Sequence, residues 1–414
     1  MTAFKSRRGR GAHAPGPLFL RLICVIVLLL AAPAFAQTAD RQAMAFEQAR
    51  QAASTGRLDE AQALLERLVT LSPDTPGYRL ALAEVLMRQG QTDRAFFHYS
   101  QLEGAALGPR DRAHVAQRLA VMRRSEGWKL RLSFGLVPQT NVGKRTSADS
   151  IDIGGIDFAL DAASREQSGV GLAFAAGASR AVTLRSGSVL RFGLQAQGYA
   201  YNDRSFNDLR LRASLGLERV MSQTLLLEGG LVHNTRFLAD KRFSTGPGLW
   251  LGAQVKLSRQ SLLTLRGQTD WQRHPTAPGL DGRRHALVLG LRHQASPSLS
   301  MTAQLGLDRT EARQDTQSGK GVSLTLGARK QWAGGLTLGL DLTQRQERRD
   351  GTEPLFGVRR DDRTTSVTLR ASHRSFTVSG YAPTLEITRE QRRSTLAPAR
   401  YRNTSVGIFL SREF

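Results

Sequence analysis

From Lys129 to Phe414 the apolar residues fall on every second position, the mark of strands with one apolar and one polar face. Leu130, Leu132, Phe134 and Leu136 alternate with Arg131, Ser133 and Gly135. Leu190, Phe192, Leu194 and Ala196 alternate with Arg191, Gly193, Gln195 and Gln197, and Leu209–Leu217 alternates with Arg210, Arg212, Ser214 and Glu218. The same rhythm recurs near residues 168–180, 224–236, 248–258, 262–273, 285–295, 298–309, 321–331, 335–345, 364–373, 376–389 and 402–414. The pattern predicts fourteen strands, an even number as single-chain bacterial barrels require.

The connections support closure. Long gaps at 139–167, 201–207, 236–247, 274–284, 310–320, 346–363 and 390–401 alternate with tight ones, as at Ser258–Ser261, Ser296-Pro297 and Trp332–Gly335. Long outer loops and short periplasmic turns are the expected asymmetry of an outer-membrane barrel. The apolar parity then faces lipid, and the lumen candidates are Arg131, Arg191, Arg210, Arg212, Lys256, Arg266, Arg292, Arg329 and Arg370. Glu218, Asp270, Asp308 and Asp341 are the fewer acids of the same parity. The second strand turns Gly169, Gly171, Ala173, Ala175 and Gly177 inward, which invites close packing against that wall, for instance by the first loop.

Residues 38–124 follow a different grammar, rich in Ala, Leu, Gln, Glu and Arg at helical spacing. Gly56-Arg-Leu-Asp-Glu-Ala61 returns as Gly90-Gln-Thr-Asp-Arg-Ala95, a period of 34 residues. That period is similar to the tetratricopeptide repeat. Ala49 and Ala83 match the small residue of its first helix, and Ala61 and Ala95 that of its second. Leu65 and Tyr99 are the bulky positions that follow, and Pro73 ends the first repeat; the second has Leu107 in place of the proline. The domain order expected is a signal peptide over 1–36, a periplasmic repeat domain over 37–126 and a transmembrane β-barrel over 127–414. The fold class is α+β multidomain, a short all-α solenoid followed by a fourteen-stranded antiparallel barrel.

Charge changes this picture little. Lys and Arg number 58 against 35 for Asp and Glu, a formal net charge of +23. Basic chains often bind nucleic acid, but the arginines are spread along the chain with no polybasic block and no nucleic-acid motif. The first 36 residues read as a secretory signal: Lys5, Arg7, Arg8, Arg10 and Arg21, an apolar run from Leu22 to Ala32, and Ala34-Phe-Ala36 before Gln37. Cys24, the single cysteine, lies inside it, so the mature chain is expected to carry no disulfide or thiolate. The scattered histidines His98, His114, His233, His274, His285, His293 and His373 form no ligand pair, and there is no nucleophile elbow or phosphate loop. The reading is of a non-enzyme with no cofactor and no metal.

Two resemblances complete the reading. Val406, Ile408, Leu410 and Phe414 share one parity and close on an aromatic, as in the C-terminal assembly signal of outer-membrane barrels, with Arg412 departing from it. The run from Ser133 to Thr146, with Pro138 and Asn141 as a Pro-x-x-Asn turn, resembles the first strand of the surface lipoprotein assembly modifier family. Ser168–Leu172 and Gly407–Phe414 resemble its second and last strands. That resemblance implies an outer-membrane translocon whose partners are a lipoprotein or secreted client, outer-membrane lipids and the barrel-assembly machinery, with no nucleic acid. Its clients typically carry a small C-terminal β-barrel domain. The alternative kept open is an anion-preferring porin with a periplasmic adaptor; a polysaccharide exporter fits less well, because such exporters usually carry far longer repeat arrays.

Overall fold

The computed structural model describes residues 39–124, 127–376 and 382–411. The expected signal segment, Gln37 and Phe414 lie outside the described residues. Five helices come first: α1 (Ala39–Ser54), α2 (Leu58–Leu71), α3 (Pro76–Arg88), α4 (Thr92–Gln101) and α5 (Pro109–Arg124). The recurring glycines stop α1 and α3. Gly56 and Gly90 sit at φ +82° and +73°, a left-handed geometry that costs glycine little. The amides beyond them, Arg57 N and Gln91 N, both 2.9 Å from their acceptors, donate back to Ala52 O and Leu86 O as in a Schellman cap. Ala49, Ala61, Ala83 and Ala95 are fully buried, as are Leu65 and Tyr99, because the helices cross closely where side chains are small. Together with Leu68, Leu82, Leu86 and Leu119 they form one apolar cluster.

The barrel strands are β1 (Gly127–Gln139), β4 (Gly169–Thr183), β5 (Val189–Tyr201), β6 (Asp208–Val220), β7 (Leu225–Leu238), β8 (Lys241–Lys256) and β9 (Ser261–Gln272). They continue as β10 (Gly282–Ser296), β11 (Leu299–Ala312), β12 (Gly319–Gln331), β13 (Leu336–Glu353), β14 (Val358–His373), β15 (Ala382–Ser394) and β16 (Tyr401–Ser411). Each pairs antiparallel with its sequence neighbour, and β16 pairs with β1 to close a barrel of fourteen strands. Closure leaves no strand edge to the bilayer, where unpaired backbone groups are costly. Leu287, Leu289, Leu305 and Leu324 are exposed on the outer parity, a lipid-facing surface. No described helix is long and apolar enough to cross a membrane.

Several boundaries differ from the sequence pattern. The expected loop at 236–247 is a two-residue turn, Ala239-Asp240, with φ +48° and +61°. Most of the expected loop at 346–363 is strand, because β13 and β14 keep pairing to Glu353↔Val358. Beyond the hydrocarbon a strand needs no apolar face, so its ladder continues after the alternation has ended. The strand expected at 376–389 is displaced to Ala382–Ser394, behind a 3₁₀ turn at Arg374–Phe376. The first loop carries its own hairpin, β2 (Ser150–Ile153) with β3 (Ile156–Ala159). Its base reaches the glycine-rich wall at Val142, against which a Cβ on Gly169 would press at 3.1 Å, while the Tyr201 ring occupies the space beside Gly171.

Candidate functional site: the capped mouth of the barrel

The turns at the periplasmic end of the barrel meet the repeats through a set of specific hydrogen bonds. Asp74, between α2 and α3, accepts from Ser296 Oγ at 2.6 Å and Ser298 N at 3.1 Å, and Lys330 Nζ stands 3.3 Å from its other oxygen. Arg79 Nη2 donates to Pro73 O and to Gln331 Oε1, both at 2.9 Å. Gly334 N donates to Thr70 O at 2.9 Å, and Arg374 Nη1 to Thr70 Oγ1 at 3.2 Å. At the end of α4, Gln294 Nε2 donates to Gln101 Oε1 at 3.0 Å and Gln260 Nε2 to Gly104 O at 3.2 Å. These bonds bind the repeats to the turns β8–β9, β10–β11, β12–β13 and β14–β15.

The joint is electrostatically loaded. Arg79 and His98 are fully buried, and Arg79 Nε and Nη1 and both His98 ring nitrogens have no hydrogen-bond partner among the described residues. Burial, together with the Arg374 charge, pushes the Arg79 guanidinium down to about 9, against the pull of Asp74. Burial also holds His98 well below the ordinary histidine range, helped by Arg374, Arg79 and Arg94, so the ring is neutral. Burial raises the Asp74 carboxyl, but the hydrogen bonds of Ser296 and Ser298 and the Lys330 charge outweigh it and the net shift is downward. Nothing in the spacing of these residues announced a joint; Asp74, Arg79, His98 and Arg374 become a site through tertiary contact alone.

Above the joint α4 lies across the lumen. Phe97, Ser100 and Gln101 line a cavity of about 950 Å³ together with Ser133, Ala175, Tyr199, Arg292, Arg329, Asp341, Arg370 and Phe409 of the barrel. Arg370 Nε donates to Glu386 at 2.7 Å and its Nη1 to Asp341. Arg191 pairs with Glu218 at 3.2 Å, Arg210 with Asp208 at 3.1 Å, and Arg212 donates to Gln268 at 3.0 Å. Arg266 lies 4.2 Å over the Trp250 ring. Lys256 is at the joint instead, 3.5 Å from Glu103. Arg131 stands opposite Gly177. Higher in the barrel Arg345 bridges Asp308 at 2.7 Å and Glu347 at 3.0 Å; of the three, the periodicity singles out Asp308 alone. Among the described residues no group of His, Asp or Glu is placed to hold a metal ion.

The closing seam carries a break among its described residues. β1 pairs with β16 from Ser133↔Ser411 to Leu136↔Ile408, and again at Gln139↔Ser405, with the two positions between unpaired. Pro138 falls in that break and has no N–H to give. Above it one main-chain bond, Thr140 N to Thr404 O at 3.0 Å, is joined by side chains: Asn403 Oδ1 accepts from Asn141 N at 3.0 Å, Asn403 Nδ2 donates to Gln139 Oε1 at 2.9 Å, and Asn141 Nδ2 donates to Arg402 O at 3.1 Å. Asn141 is fully buried and also ties the loop by receiving Arg145 N at 2.9 Å.

Comparison with known proteins agrees with this architecture. A tetratricopeptide-repeat family model matches residues 52–105. Among solved structures, the P. putida toluene transporter TodX is 14% identical, with 69% of this chain and 90% of that chain covered at a TM-score of 0.37. The outer membrane channel DcaP of Acinetobacter baumannii is 8% identical, covering 69% and 97% at a TM-score of 0.42. The CymD monoaromatic hydrocarbon channel is 11% identical, covering 76% and 97% at 0.39. A search of curated proteins finds no match. The family model for the surface lipoprotein assembly modifier matches residues 128–414, the whole described barrel and well over half the chain. With its repeats on the periplasmic side and its barrel in the outer membrane, the chain belongs to the surface lipoprotein assembly modifier family.

Proposed function

We propose that the protein is a translocon that delivers surface lipoproteins, or related secreted proteins, from the periplasm to the cell surface. The observation that carries this reading is the seat of the repeat domain: α4 lines the same cavity as Arg292, Arg329 and Arg370, so a client held by the repeats is already at the lumen. The passage is read as one that uses no nucleotide and no cofactor.

The porin reading draws on the same arginines. Yet Arg191, Arg345 and Arg370 are each paired with carboxylates, which lowers the fixed charge a small anion would meet, and α4 lies in the mouth. Two experiments separate the readings. Co-expression with a candidate lipoprotein, scored by protease and antibody access on intact cells, is expected to show display that depends on this protein. Planar-bilayer recordings are expected to show no steady anion-selective current; a steady current without display would overturn the translocon reading.

A further inference from the structure

We infer that the outer wall of the barrel carries a binding site for the phosphates of an anionic glycolipid of the outer leaflet, built on β11 to β16 at the rim away from the repeats. The inference does not depend on what the barrel transports. On these strands the lipid-facing positions run apolar from the joint outward and then turn basic. Leu305 and Leu307 of β11 give way on the same face to Arg309, and Leu324 and Val322 of β12 to Lys320. On β14 Leu369 and Val367 lead through Thr365 to Arg363. Ile387 of β15 gives way to Arg389 and then Arg393, and Val406 of β16 leads through Thr404 to Arg402. Such a change marks where the hydrocarbon meets the headgroups.

The register gathers these charges rather than spacing them. Lys320 is directly opposite Arg309 on one side and Arg348 on the other. Arg363 is directly opposite Arg393, and Arg402 is opposite Gln391, which stands between Arg389 and Arg393 on that face. Opposed side chains of antiparallel strands start about 5 Å apart, and like charges placed so repel. Carboxylates answer two of the charges, Asp350 to Arg309 and Asp361 to Arg348, each at 2.7 Å. Lys320, Arg363, Arg389, Arg393 and Arg402 are exposed, and among the described residues none of the five has an ion-pair partner. Four of them are guanidiniums on three consecutive strands.

A phosphorylated headgroup supplies what the chain leaves unmet. A guanidinium takes two phosphate oxygens at once through its parallel N–H groups, and a basic cluster at the headgroup level is the usual means of holding an anionic lipid. Arg363 and Arg393 can close on one phosphate from two strands, with Arg402 beside them for a second. Nearer the joint the same face continues through Leu369, Ile387 and Val406, all exposed. A lipid seated there meets charge at its head and apolar wall along its chains, whereas a soluble anion would use only the charge. Nor is the charge spread evenly round the rim. On β1, β4, β5 and β6 the lipid-facing positions nearest the same rim are Pro138, Val170, Ala200 and Leu209, none of them charged.

The whole protein is reconstituted in phosphatidylcholine vesicles containing lipid A with both its phosphates, or the same lipid A stripped of them, then reisolated in mild detergent. Mass spectrometry measures the lipid A retained per barrel. Arg363→Gln/Arg393→Gln is compared with Arg180→Gln/Arg219→Gln, which removes two exposed charges at the opposite rim. The phosphorylated lipid should be retained by the unsubstituted protein and by the opposite-rim variant, and about tenfold less by Arg363→Gln/Arg393→Gln. The stripped lipid should be lost from all three. Equal retention by Arg363→Gln/Arg393→Gln overturns the inference, and so does equal retention of the stripped lipid. Phosphatidylglycerol held as firmly as lipid A, or lipid A released by inorganic phosphate, would show a site for negative charge alone and overturn it too. Heat-shifted gel mobility checks that each variant is folded. Should the double variant fail to fold, Arg402→Gln must lower retention in its place, and an undiminished amount of bound lipid with it overturns the inference.

Discussion

Asn403 accepts the main-chain N–H of Asn141 at 3.0 Å across the closing seam, and the carboxamide of Asn141 in turn reaches Arg402 O and Arg145 O on either side. One fully buried amide thus joins the first strand, the last strand and the first loop. Asn141→Ala leaves the Arg145 N–H and the Arg402 and Arg145 carbonyls without this partner, each worth about 1–3 kcal/mol when buried and unmet. The expected outcome is a barrel that opens at a lower temperature in the heat-shift assay of folded against unfolded mobility on gels. Asn141→Asp keeps the bond accepted from Arg145 but sets a buried carboxylate oxygen against the Arg402 and Arg145 carbonyls, so its shift should be at least as large.

Asp74 is the hub of the joint between repeats and turns. Asp74→Ala removes acceptors for Ser296, Ser298 and Lys330 while leaving the helical core untouched. Because its side chain is about half exposed, screening limits the loss to roughly 1–2 kcal/mol. The repeats should remain folded yet part from the barrel more often. Limited proteolysis at the turns that seat the repeats reads this directly, and cleavage no faster than in the unsubstituted chain would contradict it.

His98 makes that joint pH-dependent. Its ring is held neutral in the folded chain by burial and by Arg374, Arg79 and Arg94, whereas in the unfolded chain it takes up a proton below pH about 6.5. As pH falls through that value the unfolded state binds the extra proton, so the stability contributed is present above it and lost below it. The loss is up to about 1.4 kcal/mol per pH unit. Thermal unfolding of the repeats, followed in the whole protein between about pH 7.5 and 5.5, should therefore shift downward, and His98→Leu should flatten that slope.

Removal of residues 38–124 tests the role of the solenoid. The barrel carries its own closed ladder and is expected to insert normally. Surface display of the client should fall by roughly tenfold or more, as when a tethered capture step becomes a free encounter. Flow cytometry of intact cells with an antibody to the client measures it, and undiminished display would exclude the solenoid from client handling.

Much of this architecture is legible in the chain because two periodicities cannot be mistaken for one another. Leu209–Leu217 has an apolar residue at each odd position and β6 is where it should be; Gly56 and Gly90 recur at 34 residues because a left-handed cap ends the first helix of each repeat. Where lipid stops dictating the pattern, legibility fails. The turn at Ala239-Asp240 has no glycine to mark it, and Arg348 and Arg349 read as loop although both lie in β13. The joint was hidden for another reason. Arg79 looks like a solvated helix residue until Gln331 of a distant strand closes over it. Of the clasp, Asn141 was visible through the Pro-x-x-Asn run; Asn403 was simply one polar residue of the last strand.

The tip of β13 and β14 supplies a handle on orientation. β12 stops pairing at Gly319↔Arg349 and β15 at Asp362↔Ser394, yet β13 and β14 go on together to Glu353↔Val358. The ribbon is tied to the neighbouring loop near its base, where Asp350 N donates to Ser318 O at 3.0 Å and Gly351 N to Asp315 O at 2.9 Å, but its tip is less paired than the sheet below it, and it carries Arg359 and Arg360. Trypsin added to intact cells should nick the chain there while the severed halves stay locked in one sheet. The break would appear only on denaturation, and only if that end of the barrel looks outward, so one digest can tell which way the protein sits without any label being introduced.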